Sequence, residues 1–205
     1  DVTAARGGLS DADGANLVQG LQSQGIAVGA YSLELNVRVT IPDQVRTDAK
    51  GNQVLDASGQ PVTLSGIDLW ATLLRPAGNK KLPTIVIASA YSRVVFLLEY
   101  ASLVQRDYNI LAVDVRGTGS SHGQWEAFGF PEHYDMAYVI DTFIPGQSWS
   151  DGRVGMLGPS YLGITQLLAA GNIERNAAGV PTHLKAIFPL LPMSDAYMDI
   201  VRHGG

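Results

Sequence analysis

The sequence predicts an α/β fold whose sheet is mostly parallel, with antiparallel strands at its amino-terminal end and helices on its faces. Two segments, residues 31–41 and 66–76, alternate apolar and polar side chains, which is typical of strands with one buried face. After Pro83 the pattern changes to continuous apolar runs separated by helical stretches. Strands covered by helices on both faces of a parallel sheet have this pattern.

The composition is that of one globular domain without a strong charge bias. At 205 residues the chain is long enough for one main domain. Its 14 Lys and Arg against 19 Asp and Glu give a net charge of −5, and no segment gathers basic residues, so nucleic acid is not an expected partner. The apolar runs are far shorter than the roughly 20 residues that span a bilayer. There are no cysteines, which excludes disulfides, a thiol nucleophile and thiolate metal ligands.

Residues 1–30 are rich in Gly, Ala, Ser, Asp and Gln, and we interpret them as an amino-terminal arm at the periphery of the fold. One helix is predicted around residues 16–24, where Leu17 and Leu21 recur four positions apart. The chain starts at Asp1 without a leader pattern, which fits both a processed exported protein and a fragment boundary. Localisation stays open, with an extracellular or periplasmic location favoured over a cytoplasmic one.

The order of the predicted elements determines where a binding site forms. Turn signals between the two alternating strands predict a meander or an extended hairpin there. The later elements alternate, with strands at residues 84–89, 109–115, 154–158 and 184–189 and helices at residues 94–107, 131–143 and 161–171. Right-handed crossovers place the carboxyl ends of parallel strands along one edge of a sheet. We therefore expect one site to be lined by the loops that follow Ser89, Val115, Gly158 and Pro189.

A strand, a tight turn and a helix meet at Ser160. The predicted strand 154–157 leads into the sequence G-P-S-Y-L-G at residues 158–163 and then into an apolar helix. Such a turn lifts a serine hydroxyl above the sheet edge, aims the helix amino terminus at it and leaves the next backbone N–H free for a developing oxyanion. Gly158 leaves room for the turn, but the second glycine, Gly163, stands three positions after the serine instead of two. The local pattern fits a nucleophile and a serine that merely caps the helix equally well.

Three motifs together resemble one enzyme family. They are the S-Y-L-G turn with its lead-in W-S-D-G-R-V-G-M, the segment D-V-R-G-T-G-S-S-H-G-Q-W at residues 114–125, and Tyr91 after a predicted strand. The chain from residue 66 to residue 199 is similar to the X-prolyl dipeptidyl peptidase and cocaine esterase family of α/β-hydrolase-fold serine hydrolases, which includes the α-amino acid ester hydrolases. The displaced glycine is typical of that family. The resemblance implies an α/β-hydrolase-type sheet and hydrolysis of an ester or amide, of acyl ester or X-prolyl dipeptidyl type, through an acyl-enzyme on Ser160.

The same resemblance implies an oxyanion hole. Its two donors are the Tyr91 hydroxyl and the backbone N–H of Tyr161, which would stabilise the charge that develops on the substrate carbonyl oxygen. Tyr91 also fits an ordinary aromatic side chain packed at a strand end. We interpret the side chain of Tyr161 as packing and not as catalytic. The resemblance implies no cofactor.

The glycine-rich loop at residues 116–123 does not match a dinucleotide-binding motif, because a histidine replaces the third glycine. We predict that Arg116 is structural and pairs with a carboxylate, either Asp114 or one from elsewhere. No metal is predicted. Three residues without familiar metal-ligand spacing are interpreted as solvated loop residues: His122, His133 and Asp135.

A serine nucleophile needs a histidine base and an orienting carboxylate, which in α/β-hydrolases follow it in the chain. After Ser160, His183 precedes a predicted strand and so lies at the wrong edge of the sheet, and His203 is two residues from the end of the sequence. Neither is a convincing base for a triad with Asp195 or Asp199.

The family resemblance therefore implies that residues 31–205 are the amino-terminal portion of a catalytic domain. Its helical cap, remaining sheet and carboxy-terminal β-sandwich would lie outside this sequence. The expected partners are a small ester or peptide substrate and the rest of the polypeptide or a second processed subunit. We expect the chain alone to be inactive unless His122 approaches Ser160. The alternative is a non-catalytic α/β-hydrolase-fold module that binds a ligand or a protein.

Overall fold

Strands and helices alternate along the chain as predicted. The computed structural model describes residues 8–27, 29–48 and 50–193. The strands are β1 Tyr31–Ile41, β2 Gln44–Val45, β3 Thr63–Leu64, β4 Ile67–Pro76, β5 Leu82–Ser89, β6 Asn109–Asp114, β7 Ser150–Pro159 and β8 Leu184–Leu190. The helices are α1 Asp11–Ser23, α2 Arg93–Tyr100, α3 Phe130–Tyr138 and α4 Tyr161–Ala170.

Six of these strands form one mixed sheet in the order β1-β4-β6-β5-β7-β8. Strand β4 pairs antiparallel with β1 and β6, whereas β6, β5, β7 and β8 run parallel. The predicted fold class is confirmed. The chain leaves β5 for β6 on one side and then crosses to β7 on the other, so the topological switch point lies at β5. Open α/β sheets bind ligands beside such a point, at the carboxyl ends of the strands.

Burial along the strands follows their position in the sheet. All six residues of β6 are buried, as expected for a central strand covered on both faces. The predicted extended hairpin between β1 and β4 is present as β2, β3 and further antiparallel bridges. None of the helices within the described residues is long and apolar enough to cross a bilayer.

The two middle helices change their winding at the carboxyl end. The prediction of helix over residues 94–107 and 131–143 is confirmed in position. Helix α2 continues as a 3-10 helix over Ala101–Arg106, and α3 continues as a π-helical turn over Val139–Phe143.

Helix α1 begins at Asp11, more than one turn before its predicted start. The reason is a capping box in which the Ser10 hydroxyl accepts a hydrogen bond from the Asp13 N–H at 3.2 Å, while the Asp13 carboxylate accepts one from the Ser10 N–H at 2.9 Å. Leu17 and Leu21 are buried in the main core. The helix thus contributes to the core of the fold and does not only lie at its periphery.

Candidate active site

Ser160 occupies the tight turn between β7 and α4. Its backbone has φ 55° and ψ −123°, a conformation that non-glycine residues rarely adopt and that costs about 1–3 kcal/mol. The Ser160 N–H donates to the Leu190 carbonyl at 2.9 Å, and the Ser160 carbonyl accepts from the Gly163 N–H at 2.8 Å. The residue is exposed and its side chain makes no capping hydrogen bond to α4. The predicted strained turn is present, and the hydroxyl does not act as a helix cap.

Two glycines allow the turn to form, and their positions explain the displaced motif. Gly158 has φ 139°, and a Cβ atom there would lie 2.6 Å from the Leu162 Cβ. A Cβ atom on Gly163 would lie 2.8 Å from the Leu190 carbonyl oxygen. Leu162 therefore occupies the space beside Gly158, and Gly163 permits the close approach of α4 to β8.

Gly163→Ala is expected to destabilise the protein by about 1–3 kcal/mol, because the added methyl group must displace the backbone of β8 or tilt α4. Gly171→Ala is the matched control at the end of the same helix. There φ is −73° and the nearest atom to an added Cβ is 3.4 Å away, so its effect should stay within about 1 kcal/mol. Chemical denaturation of both variants measures the difference. Equal stabilities would contradict the role given to Gly163.

Tyr91 lies in the loop directly after β5. Its side chain is 62% exposed, so it is not packed into the core as an ordinary strand-end aromatic. The ring packs edge-on against Tyr161, with 5.9 Å between the ring centroids. The N–H groups of Tyr91 and Ser92 donate to the Ser89 hydroxyl at 3.0 and 3.2 Å. The structure thus brings Tyr91 and Tyr161 together at the carboxyl edge of the sheet.

Asp114 connects the loop after β5 to the loop after β6. Its carboxylate accepts hydrogen bonds from the Arg93 N–H at 3.0 Å and the Ser120 N–H at 3.1 Å, and it forms an ion pair with the Arg93 guanidinium. Arg93 is 1% exposed, and its Nε also donates to the Thr72 hydroxyl at 3.0 Å. The sequence reasoning missed this pair. The sequence feature that could have indicated the pair is Arg93 itself, a single arginine two residues after Tyr91 and directly before an apolar helical segment.

Arg116 pairs with Asp135 of α3. The guanidinium donates to both carboxylate oxygens, from Nε at 2.9 Å and from a terminal nitrogen at 2.7 Å. The structural role predicted for Arg116 is confirmed, with the partner from elsewhere, since Asp114 is bound to Arg93. Asp135 is fully buried within α3, so the interpretation of this residue as a solvated loop residue is wrong.

The side chain of Tyr161 is buried and hydrogen-bonded as well as packed. Its hydroxyl donates to Glu132 Oε2 at 2.5 Å and accepts from the Trp125 indole N–H at 3.1 Å. The Thr165 hydroxyl lies 3.2 Å from Glu132 Oε1. Glu132 belongs to α3 and is 2% exposed. The sequence reasoning missed Glu132, although its spacing of three from Asp135 indicates a shared face of the helix.

The environment of Glu132 favours its neutral form. Burial raises the pKa of Glu132 from its ordinary value of 4.5 to about 7, against the opposing effect of the hydrogen bonds from Tyr161 and Thr165, and the nearby charge of Asp135 adds to the rise. Burial also raises the pKa of the Tyr161 hydroxyl, and the negative charge of Glu132 adds to that effect.

This raised pKa predicts a pH-dependent stability. The folded state binds the Glu132 proton more tightly than the unfolded state, so the contribution is fully present below pH 4.5 and is lost as the pH rises through about 7. Relative to the wild type, Glu132→Gln should gain up to about 3 kcal/mol of unfolding free energy over that range. Chemical denaturation at a series of pH values measures this difference. The exposed Glu126→Gln variant controls for the loss of one charge, and parallel wild-type and Glu132→Gln profiles would contradict the prediction.

Two histidines, His183 and His122, have their nearest polar side-chain contacts with groups other than Ser160. His183 Nδ1 lies 2.8 Å from the carbonyl oxygen of Gly152, at the amino edge of β7 and β8, as its sequence position predicted. His122 Nδ1 lies 3.8 Å from the carboxylate of Asp68. Neither is hydrogen-bonded to Ser160 in the described part of the chain.

The third described histidine is also engaged elsewhere. His133 Nε2 lies 2.8 Å from the carbonyl oxygen of Phe128, and burial lowers the pKa of His133. Within residues 8–27, 29–48 and 50–193 there is no group of His, Asp and Glu side chains that could hold a metal ion. Three residues considered for the triad lie outside the described residues: Asp195, Asp199 and His203.

Comparison with known proteins agrees with this geometry. The family model described as X-Pro dipeptidyl-peptidase (S15 family) matches residues 65–205. Cocaine esterase from Rhodococcus sp. (strain MB1 Bresler) is 34% identical over 140 residues, which cover 64% of this chain and 22% of the esterase. This chain therefore spans about a fifth of the length of that relative.

Two solved structures have a similar fold. A CocE/NonD family hydrolase from Staphylococcus aureus superposes with a TM-score of 0.55 at 26% identity, covering 75% of this chain and 29% of that one. An α-amino acid ester hydrolase superposes with a TM-score of 0.57 at 24% identity, covering 82% of this chain and 26% of that one. The mixed, mostly parallel sheet of this chain is thus of α/β-hydrolase type. Since the family model matches well over half of the sequence, the chain belongs to the S15 family of X-Pro dipeptidyl-peptidases.

Proposed function

We propose that the protein carrying this chain hydrolyses an ester or amide bond through an acyl-enzyme on the Ser160 hydroxyl. The observation that carries the proposal is the strained, exposed turn at Ser160, which sits at the carboxyl edge of the sheet and at the amino terminus of α4. Non-glycine residues whose backbone is held at positive φ cluster at active sites, where the surrounding structure keeps the strained conformation in place. The chain belongs to a peptidase family and is similar to a cocaine esterase, and both findings support the same class of reaction.

In this proposal, two donors stabilise the tetrahedral intermediate. The Ser160 oxygen attacks the substrate carbonyl carbon, and its proton passes to a base. Charge that builds on the carbonyl oxygen is stabilised by the Tyr161 N–H and the Tyr91 hydroxyl. The Tyr161 N–H is in the first turn of α4, where backbone N–H groups have no partner within the helix. Collapse of the intermediate releases an alcohol or amine, and water then hydrolyses the acyl-enzyme.

The base and its orienting carboxylate are proposed to lie outside the described residues. His133 and His183 each bond to a backbone carbonyl oxygen, and His122 Nδ1 lies 3.8 Å from the Asp68 carboxylate. None of the three has both Ser160 and a carboxylate as hydrogen-bond partners in the described part of the chain. The substrate is proposed to be an acyl ester or an X-prolyl dipeptide unit, since the matching family model is named for X-Pro dipeptidyl-peptidases and a similar protein is named an esterase.

A fluorophosphonate probe tests the proposal directly. We expect the probe to form one adduct on the complete native protein, and peptide mass spectrometry should locate it on Ser160. Heat-denatured protein is the control, because only a folded oxyanion site activates the serine. An adduct on another residue would reassign the nucleophile. Complete absence of labelling would instead favour a module that binds a ligand without catalysis.

A further inference from the structure

A buried hydrogen-bonded group lies directly behind the Ser160 turn and is not used by the serine chemistry itself. Glu132 of α3 accepts hydrogen bonds from the Tyr161 and Thr165 hydroxyls, both in α4. Trp125 donates to the same Tyr161 hydroxyl. Tyr161, the residue directly after the serine, is therefore hydrogen-bonded to a carboxyl group on the neighbouring helix.

Stability does not explain a glutamate at this position. A buried carboxylate costs free energy unless a cation and hydrogen bonds together compensate its charge. In the described part of the chain no cationic side chain forms an ion pair with Glu132, and Arg116 binds Asp135 through both carboxylate oxygens. Features that lower stability locally are expected at functional sites.

Glu132 contacts the residue that directly follows the strained turn. The strained Ser160 backbone is held on one side by the Leu190 carbonyl, which belongs to the edge strand β8. On the other side, the first anchored side chain is that of Tyr161, whose hydroxyl is 2.5 Å from Glu132 Oε2. The Cβ atom and the amide nitrogen of Tyr161 are bonded to the same Cα atom, so holding the Tyr161 side chain restricts where that nitrogen and its N–H can lie.

We propose that Glu132 is a positioning residue for the oxyanion site, and that it acts by holding the Tyr161 hydroxyl and thereby the Tyr161 backbone N–H. This inference rests on the proposed function of Ser160. Oxyanion donors act through preorganised geometry, so a small displacement of one donor lowers the rate of the chemical step more than it weakens substrate binding.

The test compares variants of Glu132 and Tyr161 in the complete protein with a chromogenic ester substrate. Rates are expressed per active site titrated with the fluorophosphonate probe, so that misfolded protein does not count. Glu132→Ala and Tyr161→Phe should each lower kcat by about 10- to 100-fold, with KM changed less than about twofold. The double variant should lose no more than either single variant, because the two groups act as one unit.

Two further variants make the result specific. Glu132→Gln keeps an oxygen that can accept from the Tyr161 hydroxyl, so it should restore most of the kcat that Glu132→Ala loses. Glu99→Gln, an exposed position on α2, is the matched control and should leave kcat unchanged.

The outcomes separate this inference from the proposed function. If kcat per titrated site is unchanged in Tyr161→Phe, the inference is wrong, even where the melting temperature falls. Additive losses in the double variant would also overturn it. If Glu132→Ala does not fold, Tyr161→Phe and Glu132→Gln decide the question, because both nearly preserve side-chain volume. If the wild-type protein is not labelled on Ser160, the proposed function itself fails.

Discussion

Ser160→Ala is expected to lower kcat for ester or amide hydrolysis by about 10⁴- to 10⁶-fold and to abolish labelling by a fluorophosphonate. The substitution removes the only atom proposed to attack the substrate. It should not disturb the turn, because the Ser160 side chain makes no capping hydrogen bond and the backbone bonds to Leu190 and Gly163 remain. Steady-state kinetics and labelling of the complete protein measure the loss.

Ser92→Ala is the matched control for that prediction. Ser92 precedes α2 as Ser160 precedes α4, and its side chain also makes no capping hydrogen bond. This variant should keep its labelling and its kcat. Hydrolysis that persisted in Ser160→Ala at more than about one per cent of the wild-type rate would show that another residue is the nucleophile.

Tyr91→Phe is expected to lower kcat by about 10²- to 10³-fold, the usual cost of losing one oxyanion donor. The unfolding temperature should change little, because the side chain is 62% exposed and its ring can still pack against Tyr161. A fall in kcat with an unchanged fold would therefore assign the loss to the hydroxyl. Kinetics and thermal denaturation of the same preparation measure both quantities.

Tyr108→Phe is the control for loss of a tyrosine hydroxyl. Tyr108 directly precedes β6, at the amino edge of the parallel strands, so it should have no effect on kcat. A Tyr91→Phe enzyme with wild-type kcat would remove Tyr91 from the oxyanion site and leave the Tyr161 N–H as its remaining proposed donor.

The sheet could be predicted because its strands follow from local patterns. Strand β1 has the predicted bounds, since five apolar side chains alternate without interruption over residues 31–41. The continuous apolar run of β6 indicated a strand with both faces covered, and all of its residues are buried. The start of α1 was misplaced because the capping box at Ser10 and Asp13 lies ahead of the apolar repeat that marks the helix.

Part of the candidate site could also be predicted from local sequence, and part could not. The turn at Ser160 could be predicted from neighbouring residues, because Gly158 and the switch from strand to helix lie within the same short segment. The hydrogen bond between Glu132 and Tyr161 could not, because those residues are 29 positions apart and each belongs to a different helix. The partner of Arg116 also depended on how α3 packs beneath its loop.

The sequence by itself determined the strands, the tight turn at Ser160 and the family, since each depends on side-chain order within a few consecutive residues. Only the tertiary structure decided which charges and hydroxyl groups meet behind that turn. The reason is physical: a buried polar group takes whichever partner the packing of helices and strands brings within hydrogen-bonding distance. Asp114 meets Arg93 for this reason, and Tyr161 meets Glu132.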